Sequence, residues 1–122
     1  LTRMIDYFSE GGLVPLLLTG LVLVVIAPVV EEAVFRGVVL PALSRRFNIA
    51  VGVLVSGLLF AAIHFDTWGF IQLAILGILL GALARLGKSI WPSVALHALV
   101  NTQALLLVFA LGSLEEWAGP LG

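Results

Sequence analysis

The chain has 122 residues and a formal net charge of −1, and it is 61% hydrophobic and 11% charged. A soluble domain is about 25% charged, so together with a mean hydropathy of +1.22 the composition excludes that class and defines an integral membrane protein. No basic surplus points to a nucleic-acid partner, and the absence of cysteine removes disulfides, thiol catalysis and cysteine metal sites.

The length suits one domain spanning residues 1–122. The first residue is Leu1, which is compatible with a fragment of a longer membrane protein. Leu1, Met4, Ile5 and Phe8 recur at helical spacing among Arg3, Asp6 and Glu10, the pattern of a helix lying on the membrane surface. Asp6 and Glu10 do not suit a signal peptide. Gly11-Gly12 is expected to end this element.

A first apolar segment runs from about Leu13 to Leu40. It is longer than the ~30 Å hydrocarbon core requires. Pro28 is expected to kink it and Pro41 to close it. Asn48 is a candidate N-cap for a second segment, about Ile49 to Phe65, in which Gly52, Ser56 and Gly57 would admit another helix closely. A third segment, about Gly69 to Leu86, carries Gly77-x-x-x-Gly81, a close-packing pattern. Pro92 suits the first turn of a fourth segment ending near Gly112. Ser113-Leu-Glu-Glu116 reads as a capping box that opens a short surface helix. The expected fold is all-α: a polytopic transmembrane bundle of about four membrane helices, with short surface helices at both ends.

Arg45, Arg46, Arg85 and Lys88 lie in the first and third turns, and Asp6, Glu10, Asp66, Glu115 and Glu116 fall on the opposite side. The positive-inside rule makes the basic side cytoplasmic, and Trp68, Trp91 and Trp117 sit at expected interfaces.

Polar groups inside the apolar runs carry the functional argument. A charge at a membrane helix centre costs about 2.5–3.5 kcal/mol and defaults to a functional reading. Glu32 and Arg36 are four apart with the acid first, which favours a helical ion pair. The plain reading of that pair is structural. It leaves Glu31, about 100° round the helix, without a local cation. His64 follows Phe60 by one turn, and His97 precedes Asn101 by one turn. Either histidine alone would pass for a polar group bonded to a neighbouring helix.

Helical rise places Glu31 and His97 about 14 Å from the basic side, Asn101 about 20 Å and His64 about 24 Å. Groups on separate helices thus reach one slab of the membrane. A carboxylate and an imidazole facing one water can take its proton as it attacks a carbonyl, and an imidazole with an amide can hold the resulting oxyanion. Ser56 and Ser93 lie near the histidines, but serine is common in membrane helix contacts and ranks low as a nucleophile. Glu31, His64 and His97 also match a hydrolytic zinc set in type, though not at the spacing of a local motif. The residues alone leave metal and metal-free hydrolysis open.

Glu31-Glu32-x-x-x-Arg36, Phe60-x-x-x-His64 and His97-x-x-x-Asn101, in this order on separate helices, resemble the three motifs of the CAAX-processing and bacteriocin-processing (CPBP) family of intramembrane proteases. The resemblance covers about Pro28 to Gln103 and implies an all-helical endopeptidase of the glutamic type, related to type II CAAX prenyl proteases. It implies that Glu31 activates water, that His64 assists, and that His97 with Asn101 forms the oxyanion site. Glu32 and Arg36 would orient these groups and Phe60 would pack beside them. The partners implied are membrane lipid and a peptide or protein substrate, with prenylated CAAX proteins, bacteriocins and surface proteins as the classes. The resemblance favours no cofactor, with zinc the alternative, and a multi-pass protein of a prokaryotic plasma membrane. A proton-coupled transporter or an interaction scaffold is the competing class; it would show inverted repeats with matching broken helices, and no such symmetry is present in the sequence.

Overall fold

The computed structural model describes residues 12–118, with side chains described as far as residue 112. The described residues form four helices: α1 (Leu13–Arg46), α2 (Ile49–Ile63), α3 (Phe70–Gly87) and α4 (Trp91–Ala118). No strand occurs among the described residues. The helical bundle is that of a membrane protein: α1, α3 and the stretch Trp91–Gly112 of α4 are long and apolar enough to cross a bilayer. At 15 residues α2 reaches only about 22 Å, short of the ~30 Å core, so the second of the expected spans is a shorter apolar helix. The amphipathic surface helix expected over residues 1–10 lies outside the described residues.

Two expected boundaries are corrected. Pro41 does not close the first segment; α1 continues to Arg46. The reason is the π-helical stretch Phe35–Val39, after which Leu40 N–H bonds the Phe35 carbonyl five residues back. In an α-helix the proline ring would meet the carbonyl four residues back; the wider register relieves that crowding. The same device precedes Pro28: Leu21–Ile26 is π-helical and Ala27 N–H bonds Val22 O. The second correction is at Ser113, which opens no new helix. The backbone of α4 runs through it to Ala118.

Other local readings hold. Asn48 is extended and its side chain accepts from Val51 N–H at 2.9 Å, the N-cap of α2. Asp66 Oδ1 accepts from the backbone N–H groups of Trp68 and Gly69 in the turn before α3. Lys88 ends α3 in the left-handed conformation at φ 50°.

The chain divides into two compact units, residues Pro28–His97 and residues Leu1–Ala27 with Ala98–Gly122. In the first, α2 and α3 make the most extensive helix contact. Small residues allow it: a Cβ on Gly77 would stand 2.8 Å from the Gly57 carbonyl, and one on Gly57 would stand 2.6 Å from the Ile78 side chain. Gly52 faces Ser44 of α1 just as closely. Leu40, Phe60 and Leu80 are fully buried there, as are Glu32, Ser56 and Ser93. In the second unit, Asn101 of α4 bonds the Leu23 backbone of α1. Elsewhere the helices turn large apolar side chains outward, among them Val38, Leu54, Ile71 and Leu99, as a lipid-facing surface requires.

Candidate active site

The cluster starts from Glu32. Its carboxylate is completely buried, and Oε1 accepts from Arg36 Nη1 at 3.0 Å, the i,i+4 pair read from the sequence. Two buried charges are tolerable only when their remaining donors and acceptors are used. Arg36 Nη2 donates to the Gly77 carbonyl on α3 at 2.6 Å, and its guanidinium carbon sits 4.8 Å from the Phe60 ring centroid. Glu32 Oε1 also stands 2.9 Å from Nδ1 of His97, 65 positions along the chain.

Glu31, one residue earlier, points elsewhere. Its Oε2 is buried without a hydrogen-bond partner among the described residues. It lies 3.7 Å from Nε2 of His64 and 3.7 Å from Nε2 of His97. These separations are too long for direct hydrogen bonds and suit atoms that share a third partner. The convergence expected from depth along the helices is thus present for residues 31, 64 and 97.

Each imidazole is oriented from behind. His64 caps the end of α2, and its Nδ1 lies 2.7 Å from the Phe60 carbonyl. A carbonyl only accepts, so Nδ1 carries the proton and Nε2 faces Glu31 with a lone pair when the ring is neutral. Glu32, already bound to Arg36, imposes the same polarity on His97. Phe60 is the shared wall. It is fully buried, with ring centroids 4.7 Å from His64, 5.5 Å from His97 and 5.4 Å from Phe35. Glu31 and His64 remain about a quarter to a third exposed, at 27% and 30% of the side chain, whereas His97 is 4% exposed. The cluster is therefore reached from the Glu31–His64 side.

Asn101 belongs to the other compact unit. Its Nδ2 donates to the Leu23 carbonyl at 2.8 Å. That acceptor has a physical cause. In the π register that ends with Ala27 on Val22, the next donor to Leu23 would be residue 28, a proline without an N–H. Asn101 fills the orphaned carbonyl with one of its two amide hydrogens.

The serines take no part in the cluster. Ser93 Oγ donates to the Leu80 carbonyl at 2.8 Å, and Ser56 Oγ is buried without a partner among the described residues. The zinc alternative named Glu31, His64 and His97. Zinc held at about 2.0–2.2 Å in a tetrahedron sets neighbouring donors about 3.3–3.6 Å apart, and Glu31 Oε2 stands 3.7 Å from each Nε2. Among the described residues no group of three or more His, Cys, Asp or Glu side chains is arranged to hold a metal ion.

Sequence reasoning missed the Gly77 carbonyl as the second partner of Arg36 and Phe35 as a neighbour of Phe60. A backbone acceptor leaves no side-chain signature, although Gly77 had been marked as a packing site. It also missed the bond from Glu32 to His97, for which no signal exists in residues so far apart in the chain.

Fold and cluster together define a polytopic helical membrane protein with a Glu–His–Arg centre buried among its helices. The chain belongs to the Rce1-like family, described as type II CAAX prenyl endopeptidase Rce1-like, whose pattern matches residues 13–103. It is 27% identical over 83 residues to the Bacillus subtilis protein named "Putative membrane peptidase YdiL", an alignment covering 68% of this chain and 34% of that protein. It is 32% identical over 109 residues to an uncharacterized 24.3 kDa protein of Escherichia coli, covering 84% of this chain and 50% of that one. The chain thus spans between a third and a half of the length of these relatives. No solved structure matches it.

Proposed function

We propose that this chain carries the hydrolytic centre of an intramembrane endopeptidase, in which Glu31 and His64 activate one water molecule against a peptide carbonyl. The observation that carries this reading is the approach of two imidazole Nε2 atoms to the same oxygen, Glu31 Oε2, each at 3.7 Å. With His64 oriented through Nδ1, its Nε2 lone pair and Glu31 Oε2 are two acceptors that draw a proton from a molecule placed between them.

The steps then balance as follows. Water oxygen bonds to the peptide carbon while its proton passes to Glu31, assisted by His64. The carbonyl oxygen becomes an oxyanion. The C–N bond breaks, and Glu31 returns the proton to the departing amine. His97 stands between two carboxyl groups, Glu32 at 2.9 Å and Glu31 at 3.7 Å. In its doubly protonated form His97 offers Nε2–H as a donor for the oxyanion. The family resemblance gives Asn101 the same role. Glu32 and Arg36 hold His97 in position.

The family description and the name of the Bacillus relative support a peptide or protein substrate. A prenylated CAAX terminus is the substrate class that the family description suggests. The bacterial relatives suggest a prokaryotic plasma membrane. The test is cleavage of a membrane-embedded reporter peptide by purified chain in liposomes. Glu31→Ala and His64→Ala should each lower turnover by about 10²–10⁴-fold with helical circular dichroism unchanged. Full turnover in both variants would reject the proposal.

A further inference from the structure

We propose that the cavity between the C-terminal parts of α1 and α3 is a binding site for a phosphate group, carried by an anionic lipid headgroup or free in solution. The cavity holds about 440 Å³, within the ~300–1,000 Å³ of ordinary ligand sites. Its walls include Arg36, Leu40, Pro41, Arg85, Lys88 and Ser89. Three of these are cations and none of the lining residues is acidic. Arg85 and Lys88 form no ion pair among the described residues.

A ring of surface cations alone would satisfy the positive-inside rule and the end of a helix dipole, without any ligand. Arg36 is what sets this cavity apart. Only 3% of the residue is exposed, and while its two terminal nitrogens are bonded to Glu32 and Gly77, Nε is buried with no acceptor among the described residues. An unsatisfied buried guanidinium donor is costly, and guanidinium groups suit phosphate oxygens. The remaining walls, Leu40 and Pro41, are apolar, as an amphiphile with a charged head requires. Lys88 and Ser89 form the turn after α3, on the side that the charge distribution assigns to the cytoplasm, where anionic headgroups concentrate. A ligand there would rest on the same arginine that holds Glu32.

This inference concerns binding alone and does not depend on peptidase activity. Native mass spectrometry of the purified full chain, titrated with phosphatidylglycerol, phosphatidylcholine and inorganic phosphate, tests it. Phosphatidylglycerol should bind at least tenfold more tightly than phosphatidylcholine. The double variant Arg85→Gln/Lys88→Gln should lose about tenfold. Arg45→Gln/Arg46→Gln removes equal charge on the same side but outside the cavity wall, and should lose less than threefold. Inorganic phosphate binding as tightly as the lipid, with the same loss in Arg85→Gln/Lys88→Gln, would assign the site to the free ion. Equal binding of the two lipids without phosphate binding, or equal losses in the two double variants, would overturn the proposal.

Discussion

Replacing Gly77 by alanine adds one methyl group where α2 and α3 are in closest contact. The new Cβ would stand 2.8 Å from the Gly57 carbonyl oxygen, 2.9 Å from Gly57 Cα and 3.1 Å from Phe60 Cδ1. Two of these neighbours are backbone and cannot swing aside, so the helices must part by about half an ångström to restore ordinary contact. Overpacking of this kind costs about 1–3 kcal/mol. It also reaches the candidate site twice, because the Gly77 carbonyl anchors Arg36 and Phe60 backs both histidines. Misplacement of a reacting group by about 1 Å can cost 10²-fold in rate, so half that distance should cost roughly tenfold. Gly81→Ala is the matched control, since its nearest neighbour would be Val53 Cγ1 at an ordinary 3.5 Å. Thermal unfolding in detergent and reporter cleavage should both rank wild type and Gly81→Ala together, with Gly77→Ala below. Equal stability and turnover of the two alanine variants would refute the reasoning about this contact.

Arg36→Met should destabilise the chain by about 3 kcal/mol, because it takes the permanent cation from the buried Glu32 carboxylate and leaves it His97 alone; denaturant titration should show Glu32→Gln/Arg36→Met recovering part of that loss. Ser56→Ala and Ser93→Ala should keep turnover within a few fold in the reporter assay, with Ser93→Ala losing about 0.6 kcal/mol for its bond to Leu80; a hundredfold loss in either would revive a serine nucleophile. Turnover should survive dialysis against chelator, and loss of activity restored by zinc would contradict the metal-free reading. Asn48→Ala should cost about 1 kcal/mol through the lost cap of α2, read by thermal unfolding, with little change in turnover per folded molecule.

Those parts of the fold governed by local chemistry were legible in the residues. Glu32 and Arg36 announced their pair by spacing, Asn48 announced a cap, and Gly57 and Gly77 announced a close helix contact. Depth along the helices was enough to bring residues 31, 64 and 97 to one level. What stayed hidden depended on register and on distant partners. Pro41 alone reads as a stop, and only the π-helical stretch before it explains why α1 continues. The Ser113 capping box is good helix sequence in either setting, so the pattern could not say whether a helix begins there or passes through. The bond between Glu32 and His97 and the carbonyl of Gly77 under Arg36 arise from packing between helices, which no spacing within one helix encodes.

The central claim is that Glu31 and His64 act on the same water. A double-mutant cycle on turnover tests it most directly, using Glu31→Gln, His64→Ala and the combined variant in liposomes. Groups that work as one unit are strongly non-additive, so the combined variant should lose no more than about tenfold beyond the worse single variant. Losses that multiply in full would contradict a shared water.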